Sequence, residues 1–110
     1  KFRINKVDKF LMKLKHTHSE SIQQQGISGT ADKHLCVWGR FVALECKKSH
    51  KKADRPGPLQ QNKLDEITRT GGVAIVASPD NWEEVKQVLS KMDESKETAW
   101  KQKSLLNTWT

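Results

Sequence analysis

The sequence predicts a single α/β domain built on a mixed β-sheet, and three stretches carry that prediction. Residues 29–47 hold an acid, a short apolar run, a Gly turn, a second apolar run and then Glu-x-Lys, the pattern of a β-hairpin with charge at its open end. Pro58 and Gly71-Gly72 bracket a segment in which Leu64 and Ile67 recur at helical spacing. Residues 73–77, Val-Ala-Ile-Val-Ala, form an unbroken apolar run between Gly-Gly and Ser-Pro, as in a strand buried on both faces after a crossover helix. With an amphipathic helix at each end, the order is α-β-β-α-β-α, with helices flanking the sheet and a C-terminal tail.

Taken from the start, Ile4, Val7, Leu11 and Leu14, with Phe10 beside them, predict a helix of about three turns whose other face is mostly Lys. Residues 15–28 are polar and follow neither period, so a loop is expected, with one short strand around Ile22. His16 and His18 form His-x-His, but no third or fourth ligand is near in sequence, and surface histidines are the simpler reading.

For the hairpin, a two-residue turn at Gly39-Arg40 places Trp38 opposite Phe41 and makes facing residue numbers sum to 79. Asp32 then faces Lys47 and His34 faces Glu45, with all four side chains on one side of the sheet. Carboxylates and an ammonium at the mouth of an apolar sheet are costly unless they pair or bind something. A metal-dependent phosphodiester site is one reading, and surface ion pairs at a sheet end are the other.

The following residues, 48–58, are dense in charge and close on Pro-Gly-Pro, so a mobile loop is expected. Lys47, Lys48, Lys51, Lys52 and Arg55 are five cations directly downstream of the acids, suited to a phosphate backbone. A helix over residues 59–70 then carries Gln60 on the stripe of Leu64 and Ile67, from where it can aim at the hairpin mouth or remain an ordinary half-buried amide. After the buried strand, Asp80 with Glu83 reads as an N-cap close to a capping box. Trp82, Val85, Leu89 and Met92, with Val88 alongside, form the last amphipathic helix. Residues 1–92 make the domain. Residues 93–110 form an extension whose Trp100, Leu105, Leu106 and Trp109 predict docking on the domain or on a partner subunit.

Composition narrows the class. The chain has 110 residues and a formal net charge of +7, which favours a polyanionic partner, above all nucleic acid. A core of this size is small, and pairing with a second copy would add to it. No run is long enough to cross a membrane and no signal-like segment opens the sequence, so a cytoplasmic protein is expected. Cys36 and Cys46 fall on opposite faces of the hairpin, which argues against a disulfide, and their spacing to His argues against structural zinc.

Asp32 followed after a hairpin by Glu45-Cys46-Lys47 resembles the PD-(D/E)xK nuclease signature. Gly26-Ile27-Ser28-Gly29-Thr30-Ala31 before Asp32, Gly39-Arg40-Phe41-Val42-Ala43-Leu44 before Glu45, Pro58-Leu59-Gln60 and Gly71-Gly72-Val73-Ala74 narrow the likeness. Over about residues 26–90 the chain is similar to the virus-type replication-repair nucleases, the VRR-NUC family, in their stand-alone phage-like form. The resemblance implies a restriction-endonuclease-like core, with Asp32 and Glu45 as metal ligands, Lys47 as catalytic lysine and Gln60 beside them. Mg2+ or Mn2+ is the implied ion, since hard cations take oxygen ligands, and the backbone carbonyl of Cys46 and waters complete a suitable shell. It further implies a homodimeric endonuclease acting on branched DNA such as four-way junctions, in the cytoplasm of a bacterial host. Two departures stand out: Ala31 occupies the family's usual Pro position, and a helical Glu that often serves as a further ligand has only Asp8, or Glu20 in the loop, to replace it. A nucleic-acid-binding domain with a degenerate site is the alternative.

Overall fold

A four-stranded mixed sheet forms the centre of the computed structural model, which describes residues 2–22 and 32–105. The strands β1 (Thr17–Ser21), β2 (Lys33–Val37), β3 (Arg40–Cys46) and β4 (Val73–Ala77) lie in the order β1-β2-β3-β4. The first two pairings are antiparallel and β3 pairs with β4 in parallel. Helix α2 (Pro58–Arg69) makes the crossover that parallel pairing requires, with Pro58 at its first turn. The predicted mixed α/β architecture is therefore present. The Gly26 to Ala31 approach to Asp32 and the tail residues Leu106 and Trp109 lie outside the described residues.

Strand parity sorts the core into two layers. Leu35, Val37, Val42, Leu44, Val73 and Ile75 face one side, where Val85, Leu89 and Met92 of α3 (Trp82–Glu94) and Val7 and Leu11 of the N-terminal helix pack on them. Ala43, Ala74 and Val76 face the other side, against Leu64 and Ile67 of α2. Small alanines at the contact let α2 lie close to β3 and β4. Closeness is sharpest at Gly72, where a Cβ would sit 2.7 Å from Ile67 Cγ2 and 3.3 Å from the Phe41 carbonyl oxygen. Glu45 shares parity with Ala43, so its side chain falls on the α2 face.

Several local expectations are corrected. The N-terminal helix winds as a π-helix over Arg3–Asp8 before α1 (Lys9–Leu11). Its wider turn keeps Val7 and Leu11 in the core but leaves Ile4 53% exposed. The early strand lies at Thr17–Ser21, ahead of Ile22, as a polar edge strand with little burial. Asp80 does not cap α3: Asn81 holds the N-cap position, and the Asp80 carboxylate accepts the His50 backbone N–H at 2.8 Å. That bond, with His50 Nδ1 2.5 Å from Ser78 Oγ, ties the start of the 48–58 loop to the β4–α3 turn instead of leaving it free along its length.

The hairpin turn is also displaced. Val37 pairs with Arg40 and Cys36 with Phe41, so facing numbers sum to 77 and the turn residues are Trp38 and Gly39. Both have positive φ, 52° and 81°, an unfavourable conformation for a residue as bulky as Trp. Tertiary contacts hold it there. The Trp38 ring stacks on His16 with centroids 4.2 Å apart, its Nε1 donates to the Asp93 carbonyl at 2.9 Å, and its own carbonyl accepts from Trp100 Nε1 at 2.9 Å.

The extension lies on the domain as far as it is described. Helix α4 (Lys96–Lys101) is capped by the Ser95 side chain. Arg40 donates to the carbonyls of Ala99, Trp100 and Gln102 at its end, and to that of Gly71. Leu105 then bridges to Ile75, covering the outer edge of β4. Among the described residues no helix is long and apolar enough to cross a membrane.

Candidate active site

The start of β2 and the ends of β3 and β4 meet at one end of the sheet, the end at which α/β sheets bind ligands. Extending the observed register by one step sets Asp32 opposite Glu45, not opposite Lys47, and His34 opposite Ala43, not Glu45. The sums 79 and 77 differ by one full strand period, so the predicted sharing of a face by Asp32 and Glu45 survives the displaced turn. Glu45 Oε1 accepts the Asp32 backbone N–H at 3.2 Å, and Asp32 Oδ2 accepts the Cys46 N–H at 2.8 Å. In a strand, a residue's N–H and C=O point to the same neighbour, so the Cys46 carbonyl is directed to the Asp32 side as well.

Helix α2 completes the cluster. Gln60 Nε2 donates to Glu45 Oε2 at 2.8 Å, and Lys47 Nζ donates to Gln60 Oε1 at 2.8 Å. Lys47 Nζ is also 3.4 Å from Glu45 Oε2, so one amide locks the acid and the amine together. Gln60 is aimed there by the stripe that packs Leu64 and Ile67 on the sheet.

The electrostatics bear the mark of crowded negative charge. Burial raises the Glu45 carboxyl above its ordinary value, the charge of Asp32 adds to the rise, and Lys47 and Gln60 oppose it. The Cys46 thiol is pushed up to about 12 by burial and then by Asp32 and Glu45, so it remains a thiol. Both cysteines are free. A cation placed between the carboxylates would relieve the part of the rise that comes from the Asp32 charge. Two carboxylates and a backbone carbonyl are oxygen donors of the kind a hard divalent ion takes, and here the carboxylate oxygens accept from the Asp32 and Cys46 N–H groups, Arg3 and Gln60 and lie beside Lys47.

The acid set stops at two. Asp8 pairs with the buried Nζ of Lys33, which also reaches Ser21 Oγ. Glu20 lies on β1 with its carboxylate 3.8 Å from His18 Nε2 and mostly exposed. Among the described residues no group of three His, Cys, Asp or Glu side chains is gathered to hold a metal.

Arg3 is the residue sequence reasoning missed. It sits with its Nη1 3.4 Å from Asp32 Oδ1. It lines, with Asp32, Cys46, Lys47 and Lys48, a cleft of about 500 Å3. Nothing local in the sequence could have signalled a contact between residues so far apart. Of the predicted phosphate-gripping residues, Lys48 lines this cleft, Lys52 and Arg55 line a separate depression of about 560 Å3 at the start of α2, and Lys51 is exposed between them. No protein-family model matches the chain, and no curated protein and no solved structure does either.

Proposed function

We propose that the chain is a divalent-metal-dependent DNA endonuclease of the VRR-NUC kind, hydrolysing phosphodiester bonds in branched DNA. The observation that carries this reading is the meeting of Asp32 and Glu45 from adjacent strands beside a lysine fixed by Gln60. Mg2+ or Mn2+ would be held by Asp32, Glu45 and the Cys46 carbonyl. A bound ion of this type supplies positive charge beside the scissile phosphate and a water acidic enough to attack near neutral pH.

The chain's own residues supply the rest. Lys47 has three N–H donors and spends them partly on Gln60 and Glu45, which fixes the ammonium where negative charge builds on the phosphoryl oxygens. Gln60 keeps that geometry by accepting from Lys47 while donating to Glu45, which neither a carboxylate nor an ammonium in its place could do. Arg3 and Lys48 on the cleft wall grip the phosphates on either side of the reacting bond. Lys51, Lys52 and Arg55 extend the contact along the backbone.

A second reading, a binding domain with a degenerate site, is favoured by one specific observation: among the described residues only two acids converge, and Arg3 pairs with one of them. A cleavage assay with Mg2+ or Mn2+ on duplex, flap, splayed and four-way substrates separates the two. A nuclease cuts at least one substrate and loses cutting, but not binding, in Asp32→Ala and Glu45→Ala. Absence of metal-dependent cutting on every substrate overturns the nuclease reading. Pairing of two copies on a branched substrate belongs to the same proposal, and sedimentation with a four-way junction reads it directly.

A further inference from the structure

The cleft over Asp32 shares a wall with a second one. Phe2 lines both, and the second, of about 420 Å3, lies between the N-terminal helix and the start of α3. Both volumes fall within the roughly 300–1,000 Å3 usual for ligand clefts. The Phe2 ring meets Trp82 edge-on, with centroids 5.4 Å apart and planes at 87°, which fixes it as the partition between the two openings. Lys6 and Lys86 line the second cleft as Arg3, Lys47 and Lys48 line the first. Against these five cations stand Asp32 and Glu83 on the walls and Glu45 beside Lys47, and Glu83 is exposed and pairs with Lys86 at 2.8 Å. The result is a concave, net positive path with an aromatic ring at its midpoint.

A duplex presents phosphates on a broad surface and keeps its bases stacked inside. A single strand has phosphates that follow a narrow cationic groove and bases that can rest on an aromatic side chain. We infer that the two clefts form one track for a single-stranded DNA arm, running from the cleft over Asp32 past Phe2 to Lys6 and Lys86. The inference rests on the nuclease reading for which end of the track is reactive, and among branched substrates it singles out the flap and splayed forms, whose unpaired strand is the arm.

Binding of fluorescein-labelled dT10 in EDTA, read by anisotropy over a range of salt, tests the track without any cleavage. Each phosphate contact on a single strand contributes about 0.7 to the salt slope, so Lys6→Ala/Lys86→Ala lowers the slope by about 1.4 and weakens binding about 25-fold at 0.1 M salt. Phe2→Leu weakens binding about fivefold or more and leaves the slope unchanged, because it removes stacking and no charge. Lys101→Ala, on α4 at the opposite end of the sheet, has little effect. Unfolding curves confirm that each variant is folded. The inference is overturned if the wild-type chain does not bind dT10, or if the double variant loses no more affinity than Lys101→Ala. Failure of the nuclease reading looks different: no cutting of any substrate, with Lys6- and Lys86-dependent binding intact.

Discussion

Replacing Gln60 by Leu tests whether the acid and the amine of the candidate site are held as one unit. The side chain makes two hydrogen bonds of 2.8 Å, each to a charged partner. Bonds of that type contribute about 1.5–3 kcal/mol each. The Lys47 side chain is 21% exposed and recovers some water, so the low end applies and the loss is about 3 kcal/mol. Unfolding entropy is about 2.1 cal/mol/K per residue, or about 0.23 kcal/mol/K for 110 residues, so Tm falls by about 13 °C. Gln60 also helps keep the Glu45 carboxyl ionised, so the variant raises the proton affinity of Glu45 further. Thermal unfolding followed by circular dichroism, in EDTA, reads the first effect. A drop under about 3 °C would show that the Glu45–Gln60–Lys47 link contributes little, and the reasoning about a fixed lysine would go with it.

Glu45→Gln has a pH signature of definite sign. A carboxyl whose folded value is raised binds its proton more tightly in the folded chain, so its stabilising contribution is full below the ordinary value of 4.5 and is lost as pH rises through the raised value. Relative to wild type, Glu45→Gln therefore gains stability between pH 4 and pH 8 in urea unfolding with EDTA. A constant difference across that range contradicts the buried, crowded carboxylate. Asp93 serves packing, not the site: its carboxylate accepts from the backbone N–H of Lys15 and His16 and from Thr17 Oγ1. Asp93→Ala strands two backbone donors and costs about 3–5 kcal/mol, a large share of a stability of about 5–15 kcal/mol. A loss under about 1 kcal/mol in urea unfolding contradicts that anchoring.

The fold was legible where periodicity is strong. The all-apolar run of β4, the stripe of α3 and the Pro and Gly brackets of α2 each appear as predicted. Gln60 was legible for the same reason, since its place on the α2 stripe aims it at the hairpin mouth. The turn was misplaced because local sterics argue against Trp38 at positive φ, whereas His16, Asp93 and Trp100, all distant in sequence, hold it there. The error spared the site because it equals one strand period and preserves side-chain faces. The early strand was expected around Ile22 and not at Thr17–Ser21 because Thr-His-Ser-Glu-Ser is a polar edge strand without a buried face to mark it. Arg3 lay on a helix whose lysine-rich face looks solvated, and only the packing of that helix beside β2 carries it to Asp32.

Whether the two carboxylates take up a divalent ion is the claim on which the rest depends, and calorimetric titration of Mn2+ measures it without any substrate. The expected result is specific binding by the wild-type chain, abolished in both Asp32→Asn and Glu45→Gln. Because burial and the charge of Asp32 raise the Glu45 carboxyl above its ordinary value, binding near pH 5 should also release more protons than at pH 8. Mn2+ heats that are absent in the wild-type chain, or unchanged in both variants, would contradict the account.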